Sequence, residues 1–570
     1  MNSRSSPVLS RAIAPLLFAL LAIGQPETIA ARQPVYARHA MVVAEEPLAA
    51  NVGLAVLKSG GNAIDAAVAV GFALAVTYPF AGNLGGGGFM LIRLADGRST
   101  FIDFRETAPA RATHDMYLDS SGQPTKDSLK GWRASGVPGS VRGLELAHER
   151  YGHKLWASLV QPAVDLAERG FPVSKSQMDS WHRDADNLGS FSETKRIFLK
   201  DGKFYDWNEN FRQPELARSL ERIARNGSRD FYEGVTAHML ADAMAKNGGL
   251  ITLEDLRNYK AVERAPLEGD YHGHHILTSP PPSSGGVGIL QMLALLDGTG
   301  YEKTGAGSAE SYHYMAEAMQ RFYADRNEYL GDPDFVQNPV STMLDPTYIA
   351  KRRATVDPAH ATPPGQISPG DPAGHEGANT THYNVVDEQG NVVAVTYTLN
   401  DGYGSAVTVP GAGFLLNDEM DDFAAKPGTP NLFGLVQGEK NSIAPGKRPL
   451  SSMTPTIVLK DGKPFLVLGA PGGPRIITAV LQVILNVVDF NMNVQDAVDF
   501  PRVHDQWKPD RLETERRVSP DTIAALERMG YRVSEMPPLD LAEVGAILID
   551  NGWVQGAPDG RRADTKAIGY

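Results

Sequence analysis

Cysteine is missing from all 570 residues. Thiol catalysis, disulfide bridges and thiolate metal sites are thereby excluded together, although the compartment is not. Membrane-length apolar runs are missing too. The stretch Ala12–Gly24 has 13 residues and contains Pro15, against the roughly 20 that a spanning helix needs. Arg4 and Arg11 supply positive charge at its start, and Thr28, Ile29, Ala30 and Ala31 follow it. It therefore reads as a secretory signal over residues 1–31 rather than an anchor. The chain from residue 32 onward is expected to be periplasmic or secreted, with no membrane contact once the signal is removed. Basic tracts are the third absence. No run of five Lys or Arg relieves a formal net charge of -13, and an acidic surface repels phosphate backbones, so no nucleic-acid partner is expected.

What is present is ordinary for a folded protein. Hydrophobic residues make up 42% and charged residues 21%, enough apolar material for large cores. Length alone points to two to four domains. Pro47–Gly60 and Asn62–Val76 are rich in Ala, Val and Leu, with Gly60 and Gly61 between them, and predict two helices. After Asn83–Met90, with its four glycines, an apolar strand leads to Asp103-Phe104-Arg105-Glu106. Residues 136–350 carry a mostly helical pattern, including Val141–Arg150 and Ser308–Tyr329, and no internal repeat is found. Phe465–Gly469 predicts a buried strand, Ala470–Gly473 a turn, and Arg475–Val488 a helix. Alternation of this kind favours a layered α/β fold.

Residues 362–379, TPPGQISPGDPAGHEGAN, lose all apolar period, and a loop of that length inside a compact protein tends to be functional. A hairpin pattern follows at once: Thr380–Asp387, then Glu388-Gln389-Gly390, then Asn391–Thr398. Gly390 suits the third loop position, which needs a left-handed backbone. Pairing Asp387 with Asn391 sets Thr380 opposite Thr398 on one sheet face. A threonine hydroxyl is a weak nucleophile unless a base stands beside it, and an N-terminal threonine carries that base as its own α-amine, with a pKa near 7.7–8.0. On composition alone, Thr380-Thr381 serves equally well as β-branched strand filler.

The stretch TTHYNVVDEQGNVVAVTYTLN (Thr380–Asn400) resembles the start of the small subunit of gamma-glutamyltranspeptidases. The likeness extends through LLNDEMDDF (Leu415–Phe423), KRPLSSMTPT (Lys447–Thr456), APGGPRI (Ala470–Ile476), and NLGGGGFM and DFRETAP in the first half. The resemblance implies an N-terminal nucleophile (Ntn) hydrolase αββα sandwich. It would form from one self-cleaving precursor, with a large subunit 32–379 and a small subunit 380–570 held as a heterodimer. It implies Thr380 as cleavage point and nucleophile, Thr398 as its orienting partner, and Gly472 and Gly473 as donors to an oxyanion. It implies γ-glutamyl transfer or hydrolysis, with glutathione and related γ-glutamyl compounds as donors and water, amino acids or dipeptides as acceptors. No cofactor and no metal is implied.

By the same likeness Arg105 takes the substrate α-carboxylate with a two-pronged contact. Ser451 and Ser452 add hydroxyls, and Asn400, Glu419 and Asp422 hold the α-ammonium. Taken singly, each has a plainer role: Arg105 in an ion pair with Asp103 or Glu106, Ser451-Ser452 in a turn, Glu419, Asp421 and Asp422 on a solvated face. Asn384 stands where the family has Ser or Thr, with little effect expected. Phe433 stands in the lid-like segment Pro430–Gly438 where Tyr is common and cannot donate a hydroxyl. Gly85–Gly88 lack a following Gly-Lys-Ser/Thr, so tight packing rather than a phosphate loop is expected. His382 shares a strand face with Thr380, which leaves it open as a base, although the likeness favours the α-amine. His375 and His382 flank the expected cut without any metal-binding pattern. Two other functions fit parts of the chain: a cephalosporin or glutaryl acylase of the same fold, and an exported peptide-binding protein without catalysis.

Overall fold

Two seven-stranded sheets, both antiparallel throughout, dominate the computed structural model, which describes residues 32–368, 380–427, 429, 438–537 and 541–570. Sheet I runs in the order Lys566–Gly569, Met41–Ala44, Thr380–Val386, Val392–Thr398, Gly87–Arg93, Ser99–Asp103, Val262–Arg264. Sheet II runs Val35–Ala37, Trp553–Ala557, Gly545–Asp550, Lys463–Gly469, Thr456–Lys460, His274–Thr278, Leu267–Tyr271. Each sheet draws strands from both sides of position 380. For that reason Gln33–Tyr570 make one unit, not the two to four domains that length suggests.

The sheets pack face to face. Val43, Phe89, Leu91 and Val392 of sheet I share a core with Ile457, Val467 and Ile547 of sheet II and with the helices Gly285–Leu296, Ala309–Tyr329 and Arg475–Val488. The other face of sheet I, through Val42, Met90, Val385 and Val393, packs on Ala63–Thr77 and its neighbouring helices. The result is a four-layer αββα stack. The central strands Thr380–Val386 and Val392–Thr398 are buried at every residue, so polar positions such as His382 and Asn384 mark no solvent face. Each fully buried Val, Leu, Ile or Phe contributes about 1.5–3 kcal/mol, so the layers hold these strands more firmly than strand propensity does.

Helices fall where expected: Pro47–Lys58, Ala63–Thr77, Ser140–Tyr151, Ala309–Tyr329 and Arg475–Val488. Asn62 and Asp65 form a reciprocal cap on Ala63–Thr77, and Asp387 Oδ2 accepts from Ala63 N at 2.8 Å, tying that helix to the hairpin turn. Residues 136–350 are mostly helical, as their pattern predicts, with an exception near residue 270. Val262–Arg264, Leu267–Tyr271 and His274–Thr278 are strands, joined in the last pair by His272 and Gly273 at φ 44° and 79°. They lie at or near sheet edges, where half-exposed polar positions dilute the apolar signal. Among the described residues no helix is long and apolar enough to cross a membrane. The expected signal segment, Asn379 and Phe433 lie outside the described residues.

Candidate active site

The hairpin has the register that its sequence predicts. Thr380 pairs with Thr398, Val386 with Val392, and Gly390 adopts φ 91° in the turn. Thr380 Oγ1 donates to Thr398 Oγ1 at 3.4 Å, and Thr398 Oγ1 also accepts from Asn400 N at 2.9 Å. Thr380 is only 5% exposed. The Thr398 carbonyl is fixed by Asn83 Nδ2 at 2.8 Å. Gly86 lies so close that a Cβ there would stand 1.9 Å from the Thr398 oxygen; the glycine run packs backbone against backbone, as expected.

From Thr380 the site extends across sheet I. Thr398 pairs with Gly87, and Gly88 exchanges backbone hydrogen bonds with Phe104. Arg105 therefore sits about three strand spacings, roughly 14 Å, from the Thr380 backbone. Its buried guanidinium bonds Glu419 through Nη1 and Asp422 through Nη2. Nε reaches Pro449 O at 3.2 Å and Nη2 reaches Leu450 O at 3.3 Å, clasping the segment that carries Ser451 and Ser452. Asn441 completes the clasp, donating to Asp422 O at 2.6 Å and accepting from Leu450 N at 3.0 Å. Asn400, at φ 82°, donates to Asp418 O at 3.2 Å and links the threonine pair to the acidic turn. The carboxylate-binding and ammonium-binding groups inferred from the sequence are thus in mutual contact, neither a surface ion pair nor a solvated face.

This cluster is short of positive charge. Glu106 Oε2 stands 3.7 Å from Arg105 Nη1, so three buried carboxylates surround one guanidinium. Burial raises the Glu106 and Glu419 carboxyls, with neighbouring carboxylates adding to the rise and Arg105 opposing it. Asp418 is also raised, first by burial and then by Asp401. A ligand bearing both an ammonium and a carboxylate would satisfy the excess negative charge and the guanidinium fork together.

Gly472 and Gly473 follow strand Lys463–Gly469 at φ 129° and 58°, a backbone that other residues rarely adopt. Among the described residues neither N–H has a hydrogen-bond partner. Their placement follows from facing strands: a Cβ on Gly469 would stand 2.3 Å from the His382 ring, while Val386 and Pro464 share a cavity. The two strands therefore run in opposite senses, and the 470–473 turn emerges level with Thr380.

His382 Nε2 donates to Asn384 Oδ1 at 2.9 Å, which leaves Nδ1 of the neutral ring to accept from Thr396 Oγ1 at 2.8 Å. Burial lowers its pKa to about 3, so it is a neutral spacer between the sheets and a poor base. Asn384 is less passive than its small size suggests. It also donates to Gly545 O at 2.9 Å and so bridges the two sheets. Two further residues carry no motif of their own in the sequence. Asn83 holds Gly86 N and Thr398 O, and Asn417 holds Gly85, Gly136 and Glu419 N. Each lies inside a quoted motif, NLGGGGFM and LLNDEMDDF, which was the available signal.

A four-layer αββα stack whose central strand begins on a buried threonine is the architecture of N-terminal nucleophile hydrolases. The fold superposes on the crystal structure of a cephalosporin acylase from Bacillus halodurans with a TM-score of 0.85 and 26% identity, covering 100% of this chain and 99% of that one. A glutathione hydrolase proenzyme of Pseudomonas sp. is 49% identical over 554 residues, 95% of this chain and 96% of the relative. The glutathione hydrolase proenzyme of Escherichia coli is 49% identical over 540 residues, 94% and 93% of the two chains. The gamma-glutamyltranspeptidase family model matches residues 49–569. The chain belongs to the gamma-glutamyltranspeptidase family.

Proposed function

We propose that this chain is an exported, self-cleaving γ-glutamyltransferase and glutathione hydrolase, cut between Asn379 and Thr380 into subunits 32–379 and 380–570. The carrying observation is the Thr380–Thr398 hydroxyl pair at the mouth of a hairpin that follows a Pro/Gly-rich sequence. In the precursor, Thr380 Oγ attacks the Asn379 carbonyl carbon, the peptide C–N bond breaks, and water hydrolyses the resulting ester. This frees the Thr380 α-amine. In the mature enzyme that amine takes the Oγ proton as Oγ attacks the γ-carbonyl of the donor. Gly472 and Gly473 N–H groups receive the developing oxyanion. The amine leaves with the proton, and the γ-glutamyl ester passes to water or to an amino acid or peptide acceptor. Arg105, Ser451 and Ser452 bind the donor α-carboxylate, and Asn400, Glu419 and Asp422 its α-ammonium.

Intact-mass measurement of the purified protein tests this. Two polypeptides are expected, the smaller beginning at Thr380, while Thr380→Ala yields one uncut, inactive chain. An active protein unbroken across 379 and 380, or two pieces from Thr380→Ala, would sink the proposal. The alternative reading is a cephalosporin or glutaryl acylase of the same fold, and the Bacillus halodurans neighbour is a cephalosporin acylase. The buried acidic cluster favours a donor with an α-ammonium instead, and relative rates on γ-glutamyl and glutaryl anilides separate the two.

A further inference from the structure

At the end of the sandwich away from Thr380 the sheets splay around a cavity of about 430 Å³. The hairpin turn Asp387–Gly390 opens on it from sheet I, and the turns at Gly462 and Gly552 open on it from sheet II. Val386 in its floor is six residues along the strand from Thr380, roughly 20 Å at about 3.4 Å per residue. The cavity is therefore separate from the Arg105 cluster.

Its floor is apolar. Val386 and Val554 are buried there, and Leu94, Pro464 and Ile549 complete the walls. Its rim is cationic. The Arg38 guanidinium lies 3.4 Å from the Trp553 ring centroid and donates to Gly552 O at 3.2 Å. Arg93 donates to Leu94 O at 2.6 Å and to Gly462 O at 3.2 Å. Lys463 stands exposed beside them. Among the described residues none of these three cations has a carboxylate within ion-pair distance. The acids at the rim are already engaged. Asp387 accepts from Ala63 N at 2.8 Å, Asn391 N at 2.9 Å and Asn391 Nδ2 at 2.7 Å, and Glu388 pairs with His39 at 3.0 Å. An apolar floor under three cations that form no ion pair among the described residues, in a volume typical of small-molecule sites, is selective in charge as well as shape.

We propose that this cavity is a second ligand site, taking a small amphipathic organic anion. Its aromatic or branched body would lie on Val386, Ile549 and Val554, and its anionic head would sit between Arg93 and Lys463 near the Arg38–Trp553 stack.

Titration of the complete protein with anilinonaphthalene sulfonate tests this, with phenylnaphthylamine as the uncharged probe of similar shape. One saturable sulfonate site per chain is expected. It should weaken at least about tenfold in the double variant Arg93→Gln with Lys463→Gln, as the loss of charge-assisted hydrogen bonds requires. It should be unaffected by Thr380→Ala, and energy transfer from tryptophan to the bound probe should fall in Trp553→Phe. The uncharged probe should bind at least about tenfold more weakly and ignore the charge substitutions. Retained γ-glutamyl hydrolysis reports that the double variant is folded. If that activity is lost, Lys463→Glu alone, on its exposed turn, carries the test. Absence of a saturable site, equal binding of the two probes, or indifference to the charge substitutions would overturn the proposal.

Discussion

Thr380 and Thr398 hold their hydroxyls 3.4 Å apart across the open end of one hairpin, with Thr380 donating and Thr398 also accepting from Asn400 N at 2.9 Å. Thr398 thus sets the direction of the Thr380 hydroxyl before any amine is free. Thr398→Val keeps the shape but removes the acceptor and strands the Asn400 N–H. Hydrolysis of a γ-glutamyl anilide should slow about 10²- to 10³-fold, the scale for losing one oriented polar group at a reacting centre. Thr398→Ser should stay within about tenfold of wild type. A Thr398→Val enzyme as fast as wild type would remove Thr398 from the mechanism.

Arg105 has a structural burden as well as the carboxylate-binding role proposed for it. Its planar fork answers Glu419 and Asp422 at once, which a single ammonium cannot do. Arg105→Met should lower stability by about 3–5 kcal/mol, because it leaves buried carboxylates uncompensated. Arg105→Lys should fold yet raise KM for the γ-glutamyl donor about 10- to 100-fold. Thermal melts and KM on one set of variants check both outcomes. An Arg105→Met protein that melts with wild type would mean the cluster is not held as described.

Asp422 separates the two candidate donors. If it meets the α-ammonium, Asp422→Asn should lower kcat/KM for a γ-glutamyl anilide about 10- to 100-fold, the worth of one charged hydrogen bond. A glutaryl anilide, identical apart from the missing amine, should lose far less. Equal losses on both substrates would assign Asp422 to holding Arg105 alone.

Gly472 is the position where a single methyl should be most costly. At φ 129° a side chain is strained by about 1–3 kcal/mol, and a Cβ would stand 2.7 Å from that of Ala542. Relief requires the turn to move, and with it the Gly472 and Gly473 N–H groups proposed to receive the oxyanion. Gly472→Ala is therefore expected to cut kcat about 10²- to 10³-fold while KM changes little. A change confined to KM would argue against an oxyanion role.

Much of this was legible in the chain before any fold. Gly390 and the loop length pointed to the hairpin register, and hence to the threonine pair, but strand period did not exclude a one-residue slip, because both strands are buried on both faces. The glycine run announced close packing. What stayed hidden depended on distant partners. Arg105 is 314 residues from Glu419, and no local pattern says that the charges proposed to bind substrate contact one another. The strands near residue 270 were hidden because edge positions are half polar and look neither alternating nor apolar. Asn384 looked inert because its partner, Gly545 O, belongs to the opposite sheet.

His382 makes the inter-sheet network testable by pH. Burial between the sheets lowers its pKa from 6.5 to about 3, so the folded chain resists protonation that the unfolded chain accepts. The resulting stabilisation is complete above pH 6.5 and drains away as pH falls from there through about 3, at roughly 1.4 kcal/mol per pH unit for one proton. Glutamine can serve as a neutral partner to Thr396 and Asn384 without titrating. In a Thr380→Ala background, kept as one chain, urea midpoints between pH 7 and pH 4 should fall more steeply with His382 than with His382→Gln. The difference in slope should approach that one-proton value. Parallel curves would mean that His382 is solvated or already charged in the fold, and the dry, neutral interface between the sheets beneath Thr380 would have to be abandoned.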